Sequence, residues 1–154
     1  MGWPSGAVRR PVECGCRTYP HFHWWIPVAA DRASRILIVD DEPALRALLV
    51  RALQAEGFEV VSPPDGLAGR DAAVTANAPF DLMITNTHMP RMNGAELVAE
   101  VRAAFPGLPI LHLDDLSRPD HGALPADVPN LYKPFRLEAL VDRVKSLLEP
   151  RLAE

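Results

Sequence analysis

Polar side chains with chemical potential follow several short apolar runs of this sequence. Asp40 and Asp41 follow one run, Asn86 a second, Asp114 a third, and Lys133 a fourth. A carboxylate in such a position can act as a nucleophile or a metal ligand. Asn86 differs in kind, because a carboxamide is neutral and its delocalised nitrogen lone pair makes it a very poor nucleophile.

The hydrophobic pattern predicts a scaffold that brings these residues together. Short apolar runs predict strands at 35–39, 58–61, 82–85, 110–113 and 130–132. Helical spacing predicts helices from Pro43 to the stop at Gly57, and at 67–75, 94–105 and 137–148. Alternating strands and helices favour an α/β fold with a five-stranded parallel sheet. From the small menu of doubly wound sheets we choose the flavodoxin-like order 2-1-3-4-5, which gathers the polar strand ends at one carboxyl edge.

The stretch before the last strand is the irregular part of this pattern. Pro119, Gly122, Pro125 and Pro129 crowd residues 116–130. Because proline inside a helix is costly, the sequence predicts a shortened fourth helix of one or two turns.

The chain length suits one domain, which we place at residues 34–149, with a short tail at 150–154. Residues 1–33 lack a periodic pattern and are expected to form a disordered extension or to derive from a misplaced start codon. They contain Cys14, Cys16, His21 and His23, whose spacing is tighter than zinc sites usually use. A metal site formed by these four residues is one alternative for the extension. Packing of its aromatic side chains against the domain or a partner is the other.

Bulk properties exclude several classes of function. The net charge of -4 gives no basic footprint for nucleic acid, because residues 1–33 carry +2 and the remainder of the chain therefore carries -6. No apolar run is long enough to span a bilayer, and the N-terminus lacks the order of a signal peptide. The expected location is therefore the cytoplasm, with no nucleic-acid and no membrane partner.

Three motifs in order resemble the receiver domain of bacterial two-component response regulators. They are the run from Ile36 to Glu42, the stretch from Asp81 through Met89-Pro90 and Met92 to Gly94, and Lys133-Pro134-Phe135. The similarity covers about residues 34–149 and implies the flavodoxin-like fold. It also implies a lineage in which a histidine kinase passes phosphate to an aspartate with the help of Mg²⁺.

The resemblance assigns roles residue by residue. Asp40 and Asp41 match the acidic pair that holds Mg²⁺, and His88 would offer its backbone carbonyl to the metal. Lys133 matches the lysine that pairs with the phosphoryl group, and its bond to Pro134 is often cis in the family.

Two positions depart from the family pattern. Asn86 stands where the family has its phosphoacceptor aspartate, and Asp114 stands where it has a threonine or serine that bonds the phosphoryl group. In the family that hydroxyl residue moves on activation together with an aromatic residue, and the two form a switch. Asn130 stands at the position of the aromatic residue, with Tyr132 nearby. Asp114 would repel a phosphoryl group by its like charge, and one hypothesis pairs it with Lys133 instead. Mg²⁺ binding is expected to be weakened.

These residues predict a degenerate receiver, a non-enzymatic binding module of phosphorelay signalling. It would contact a histidine kinase or a downstream regulator, and a second copy of the chain is a further candidate partner. One alternative is an ordinary phosphoacceptor receiver that carries an engineered Asp-to-Asn change at Asn86. The other is a flavodoxin-like binder of a small phosphate-bearing ligand, although the acidic loops would repel phosphate and no Gly-rich cradle follows the first strand.

Overall fold

The computed structural model describes residues 32–118 and 125–152, in which five strands alternate with four helices. The strands are β1 (Arg35–Val39), β2 (Glu59–Val61), β3 (Leu82–Asn86), β4 (Ile110–Asp115) and β5 (Asn130–Lys133). The helices are α1 (Pro43–Ala55), α2 (Gly66–Thr75), α3 (Gly94–Ala104) and α4 (Leu137–Leu152). No described helix is long and apolar enough to cross a membrane.

The five strands form one parallel sheet in the order β2-β1-β3-β4-β5, which confirms the predicted fold class. The predicted elements agree with the observed ones to within a few residues at their ends. The largest differences are the two residues added to β4 and the four added to the last helix. Residues 116–118 and 125–129 contain turns and no helix. The predicted short fourth helix therefore concerns residues 119–124, which lie outside the described part, as does the Cys–His cluster of the first 31 residues.

Each face of the sheet buries a separate hydrophobic cluster because both faces are covered by helices. One cluster joins Leu37, Val39 and Met83 to α2 and α3. The other joins Ile36, Ile38 and Ile84 to α1 and α4. The strands β1, β3 and β4 are almost wholly buried, which explains why they read as continuous apolar runs.

Local signals start and stop the helices as the sequence predicts. Pro43 opens α1, where its missing N–H is not needed. Gly57 follows the same helix with a φ of 90°, a conformation that glycine adopts without strain. Asn93 caps α3 in a reciprocal box with Glu96, each side chain accepting the backbone N–H of the other residue.

Two adjacent leucines of α1 test this packing. Leu49 is fully buried, whereas Leu48 is 50% exposed. Leu49→Ala should lower the free energy of unfolding by about 2–5 kcal/mol, since it removes buried methyl groups and leaves a cavity. Leu48→Ala is the matched control and should change it by less than about 1 kcal/mol. Urea denaturation followed by circular dichroism measures both, and equal effects would contradict the packing.

Candidate functional site

The carboxyl ends of the strands bring most of the predicted site residues to one place. The register sets Val39 beside Thr85 and Asp115 beside Lys133, so the ends of β1, β3, β4 and β5 lie along one edge. Asp40 follows β1 and is fully buried, whereas Asp41 is exposed. Asn86 ends β3, and its side chain lies between the β1 side and the β5 side of this edge.

The side-chain amide of Asn86 uses all of its hydrogen-bonding capacity. Its Nδ2 donates to Asp41 Oδ1 at 3.2 Å and to the backbone carbonyl of His88 at 3.3 Å. Its Oδ1 accepts from the backbone N–H of Thr87 at 2.9 Å and from Lys133 Nζ at 3.2 Å. A carboxamide has two donor hydrogens and two acceptor lone pairs, and here each has a partner.

These four partners also fix which way the amide points. Two of them are acceptors and lie on the nitrogen side, and two are donors and lie on the oxygen side. The reversed amide would set its oxygen against a carboxylate and a carbonyl, and its NH₂ against an ammonium. That orientation loses all four bonds, so the surroundings of Asn86 specify an amide in one orientation.

Asp40 is the buried and incompletely hydrogen-bonded carboxylate of the site. Its Oδ1 accepts the backbone N–H of Glu42 at 2.8 Å, but its buried Oδ2 has no hydrogen-bond partner among the described residues. Lys133 Nζ is 4.0 Å from that oxygen, close enough for attraction but too far for a hydrogen bond. Burial raises the pKa of Asp40 above its ordinary value, while the Glu42 amide and Lys133 oppose that rise.

Asp114 and Asn130 lie beside this pocket in a second set of buried contacts. Asp114 is 1% exposed, and its Oδ1 lies 3.3 Å from Thr87 Oγ1 and accepts the backbone N–H of Asp115 at 2.9 Å. These contacts differ from the hypothesised Asp114–Lys133 pair, because the ammonium of Lys133 lies on Asn86 and near Asp40. Asn130 Oδ1 is 2.8 Å from His112 Nδ1.

Thr87 and His112 are the two participants that sequence reasoning missed. His112 is fully buried in β4, with Nε2 in a short hydrogen bond to Thr87 Oγ1. Burial lowers the pKa of His112, although the Asn130 hydrogen bond and the charge of Asp114 raise it in part. A histidine in an otherwise apolar strand was the available signal, because such a group requires polar partners nearby.

The loop from β3 to α3 is clamped against α2. Arg91, which has a positive φ of 69°, forms an ion pair with the buried carboxylate of Asp65. Asp65 also caps α2 by accepting the N–H of Ala68, and that bond chiefly lowers its pKa. Gly66 lies so close to the Met92 carbonyl that a Cβ would collide with it. At the other end of the loop, Gly94 is equally close to the carbonyl of Asn86.

Comparison with known proteins places this fold and site in one family. The family model described as the response regulator receiver domain matches residues 36–145. The response regulator MprA of Mycobacterium sp. (strain KMS) is 37% identical over 117 residues, which cover 74% of this chain and 50% of that protein. The chain thus spans about half the length of the curated relatives that it matches.

Solved structures agree with the family match. The chemotaxis protein CheY4 of Vibrio cholerae is 31% identical, with a TM-score of 0.67, covering 76% of this chain and all of that one. The receiver domain of the hybrid histidine kinase CckA is 30% identical, with a TM-score of 0.65, covering 75% and 99%. The chain belongs to the response regulator receiver domain family of two-component signalling. Receivers are generally non-enzymatic signalling domains that interact with histidine kinases and downstream effectors.

Receivers generally bind Mg²⁺ at the acceptor site, and the residues here fit that ion only in part. Asp40 offers a buried oxygen that has no hydrogen-bond partner in the described part of the chain, and a cation would satisfy it. However, Asn86 Nδ2 already binds both Asp41 and the His88 carbonyl, two of the oxygens that the resemblance assigns to the metal. The described residues contain no group of three His, Cys, Asp or Glu side chains placed to hold a metal.

The buried carboxylate of Asp40 leads to a prediction about stability and pH. Asp40→Asn should raise the free energy of unfolding at pH 7 by about 1 kcal/mol, because it removes an incompletely paired buried charge. The folded-state pKa of Asp40 is raised, so the wild type loses stability as the pH rises from about 3.8 through that higher pKa. The advantage of the variant should therefore disappear in acid.

Urea titrations of both proteins between pH 3 and pH 8 measure this difference. Glu42→Gln is the control, since it removes one negative charge from an exposed residue two positions from Asp40, and should change stability by less than about 0.5 kcal/mol. A destabilised Asp40→Asn protein at pH 7 would contradict the prediction.

Proposed function

We propose that this receiver does not take phosphate at its site and that it signals through protein contacts. In this proposal Asn86 stands at the acceptor position, and Asp40, Asp41 and Lys133 are the remains of the phosphotransfer site. The chain is not an enzyme, and its partner is a histidine kinase or a downstream regulator. The geometry of the Asn86 amide is the observation that carries this proposal.

An acceptor aspartate must present a carboxylate oxygen to phosphorus while a cation neutralises the charge that develops. Asn86 has no such oxygen to give. Its Oδ1 is held by Thr87 and Lys133, and its nitrogen is held by Asp41 and the His88 carbonyl. The NH₂ group thus lies where Asp41 and His88 would meet a metal, and it satisfies them as a cation would.

The surroundings of Asp114 support the same proposal. A buried carboxylate at this position would repel the roughly two negative charges of a phosphoryl group. Asp114 and Asn130 are both engaged with the Thr87–His112 pair, so the departures at 86, 114 and 130 form one set of contacts. A single engineered change at Asn86 would not produce that set, which favours long-standing divergence over the engineered alternative. The family match likewise favours a receiver over a flavodoxin-like binder of a small phosphate-bearing ligand.

The kind of partner and the location form part of the same proposal. The acidic net charge of -4 favours a protein partner over nucleic acid. A cytoplasmic location accords with the two-component lineage, and a second copy of the chain remains a candidate partner. We assign residues 34–149 to the receiver domain.

Phosphotransfer can be tested with acetyl phosphate and Mg²⁺. The wild type should form no acyl phosphate, as measured by intact mass and by hydroxylamine trapping, because Asn86 is not a nucleophile. A Mg²⁺-dependent acyl phosphate on the wild type, at any residue of the site, would contradict the proposed function.

Two variants make the negative result interpretable. Asn86→Asp restores the carboxylate, and labelling of this variant would show that the assay works and that Asp40, Asp41 and Lys133 still support the chemistry. If it stays unlabelled, Asn86→Asp combined with Asp114→Thr tests whether the charge of Asp114 is the remaining obstacle.

Metal affinity gives a second test that does not depend on phosphotransfer. Asn86→Asp should strengthen Mg²⁺ binding on the order of tenfold or more, since it replaces an NH₂ group with a third clustered carboxylate. Isothermal titration calorimetry measures the change. Asn77→Asp is the matched control, because Asn77 is exposed and precedes β3 at the opposite edge of the sheet. Equal Mg²⁺ affinity in all three proteins would contradict the role given to Asn86.

A further inference from the structure

A buried polar chain lies directly behind the Asn86 pocket. It runs from Asn130 through His112 and Thr87 to Asp114, and three of these four residues are at most 4% exposed. Thr87 belongs to both systems. Its backbone N–H donates to Asn86 Oδ1, while its hydroxyl lies between His112 and Asp114.

The hydrogen positions in this chain follow from the partners. The Asn130 amide is assigned with Oδ1 toward the ring, 2.8 Å from His112 Nδ1, and in this orientation His112 Nδ1 carries the hydrogen. In the neutral ring Nε2 is then a bare acceptor, and the Thr87 hydroxyl donates to it. That hydroxyl has one hydrogen, so it cannot also donate to Asp114 Oδ1 at 3.3 Å or to the Leu113 carbonyl at 3.3 Å.

Protonation of the ring reverses this arrangement. With a hydrogen on Nε2, His112 donates to Thr87 Oγ1, and the hydroxyl hydrogen turns to one of its other acceptors. The Asp114 carboxylate is the stronger of the two because it is charged. No covalent bond of Thr87 breaks, and the ring gains one proton from solvent. The result is a continuous relay from an imidazolium through a hydroxyl to a carboxylate.

We propose that His112, Thr87 and Asp114 form a proton-operated switch in which protonation of His112 transfers the hydroxyl bond of Thr87 from the imidazole to Asp114. The two states differ in how firmly the Asp114 side chain is held at the end of β4, beside the Asn86 pocket. The switch does not depend on whether residue 86 accepts phosphate, so it can fail or hold independently of the proposed function.

The charges around His112 decide where the switch operates. Burial lowers the pKa of His112 most, and electrostatic interactions with His88 and Lys133 lower it further, whereas the Asn130 hydrogen bond and Asp114 raise it. Among the described residues, α3 contributes buried aliphatic side chains to this face of the sheet: Leu97, Val98 and Val101. The switch is therefore set to respond on the acid side of the ordinary histidine range.

Nuclear magnetic resonance of the histidine rings in the full chain provides the test. At pH 8 the ring of His112, assigned by its loss in His112→Gln, should carry its hydrogen on Nδ1. As the pH falls, the backbone amide of Asp115, which donates to Asp114 Oδ1, should titrate with the same midpoint as the ring. If the Asp115 amide does not follow the ring in the wild type, the switch is excluded.

A double-mutant cycle separates the relay from simple attraction through space. Made alone, Asp114→Asn should weaken proton binding by His112 about threefold or more. Made in a protein that already carries Thr87→Val and so lacks the hydroxyl, the same change should weaken it by less than half that factor. Thr87→Ser keeps the hydroxyl and should preserve the full effect. Equal weakening with and without the hydroxyl would overturn the proposal, because the hydroxyl would then carry none of the coupling.

Discussion

The side-chain amide of Asn86 joins the two halves of the carboxyl edge. Its oxygen accepts a hydrogen bond from the ammonium of Lys133 on the β5 side. Its nitrogen donates hydrogen bonds to Asp41 and the His88 carbonyl on the β1 side. Hydrogen bonds to charged groups contribute about 1.5–3 kcal/mol each, so this one neutral group stabilises two opposite charges. An ionised side chain could satisfy only one of those two sides without help from a cation. The order of the edge therefore depends on the residue being an amide.

The same end of β3 also links two environments of opposite character. Asn86 faces a partly solvated pocket of charged groups, whereas the next side chain, Thr87, lies in a buried network with His112 and Asp114. Consecutive residues of a strand point to opposite faces, so the chain turns from one environment to the other within a single peptide unit. A shift of the Asn86 backbone would therefore be passed directly to Thr87 and its buried partners.

Sequence reasoning reached the fold and one of these two environments. The apolar runs and helix signals predicted every described element, because strands buried on both faces and capped helices leave plain patterns. Asp40, Asp41, Asn86 and Lys133 were predictable since polar residues at successive strand ends must converge. The roles of Thr87 and His112 were not, because a hydroxyl and an imidazole carry no spacing signal when their partners lie on other strands. The hydrogen bond from Lys133 to Asn86 was also not predictable, because the choice between Asn86 and Asp114 depends on side-chain packing that no sequence pattern encodes.

Asp65 shows how much this site depends on a residue outside it. One of its oxygens starts α2 and the other holds Arg91 in the loop that follows β3. A single carboxylate thus performs both tasks. The consequence is a narrow range of acceptable replacements. Serine or asparagine could still begin the helix, but neither brings the negative charge that retains the arginine, so either replacement would release the loop after β3 while the helix start is kept.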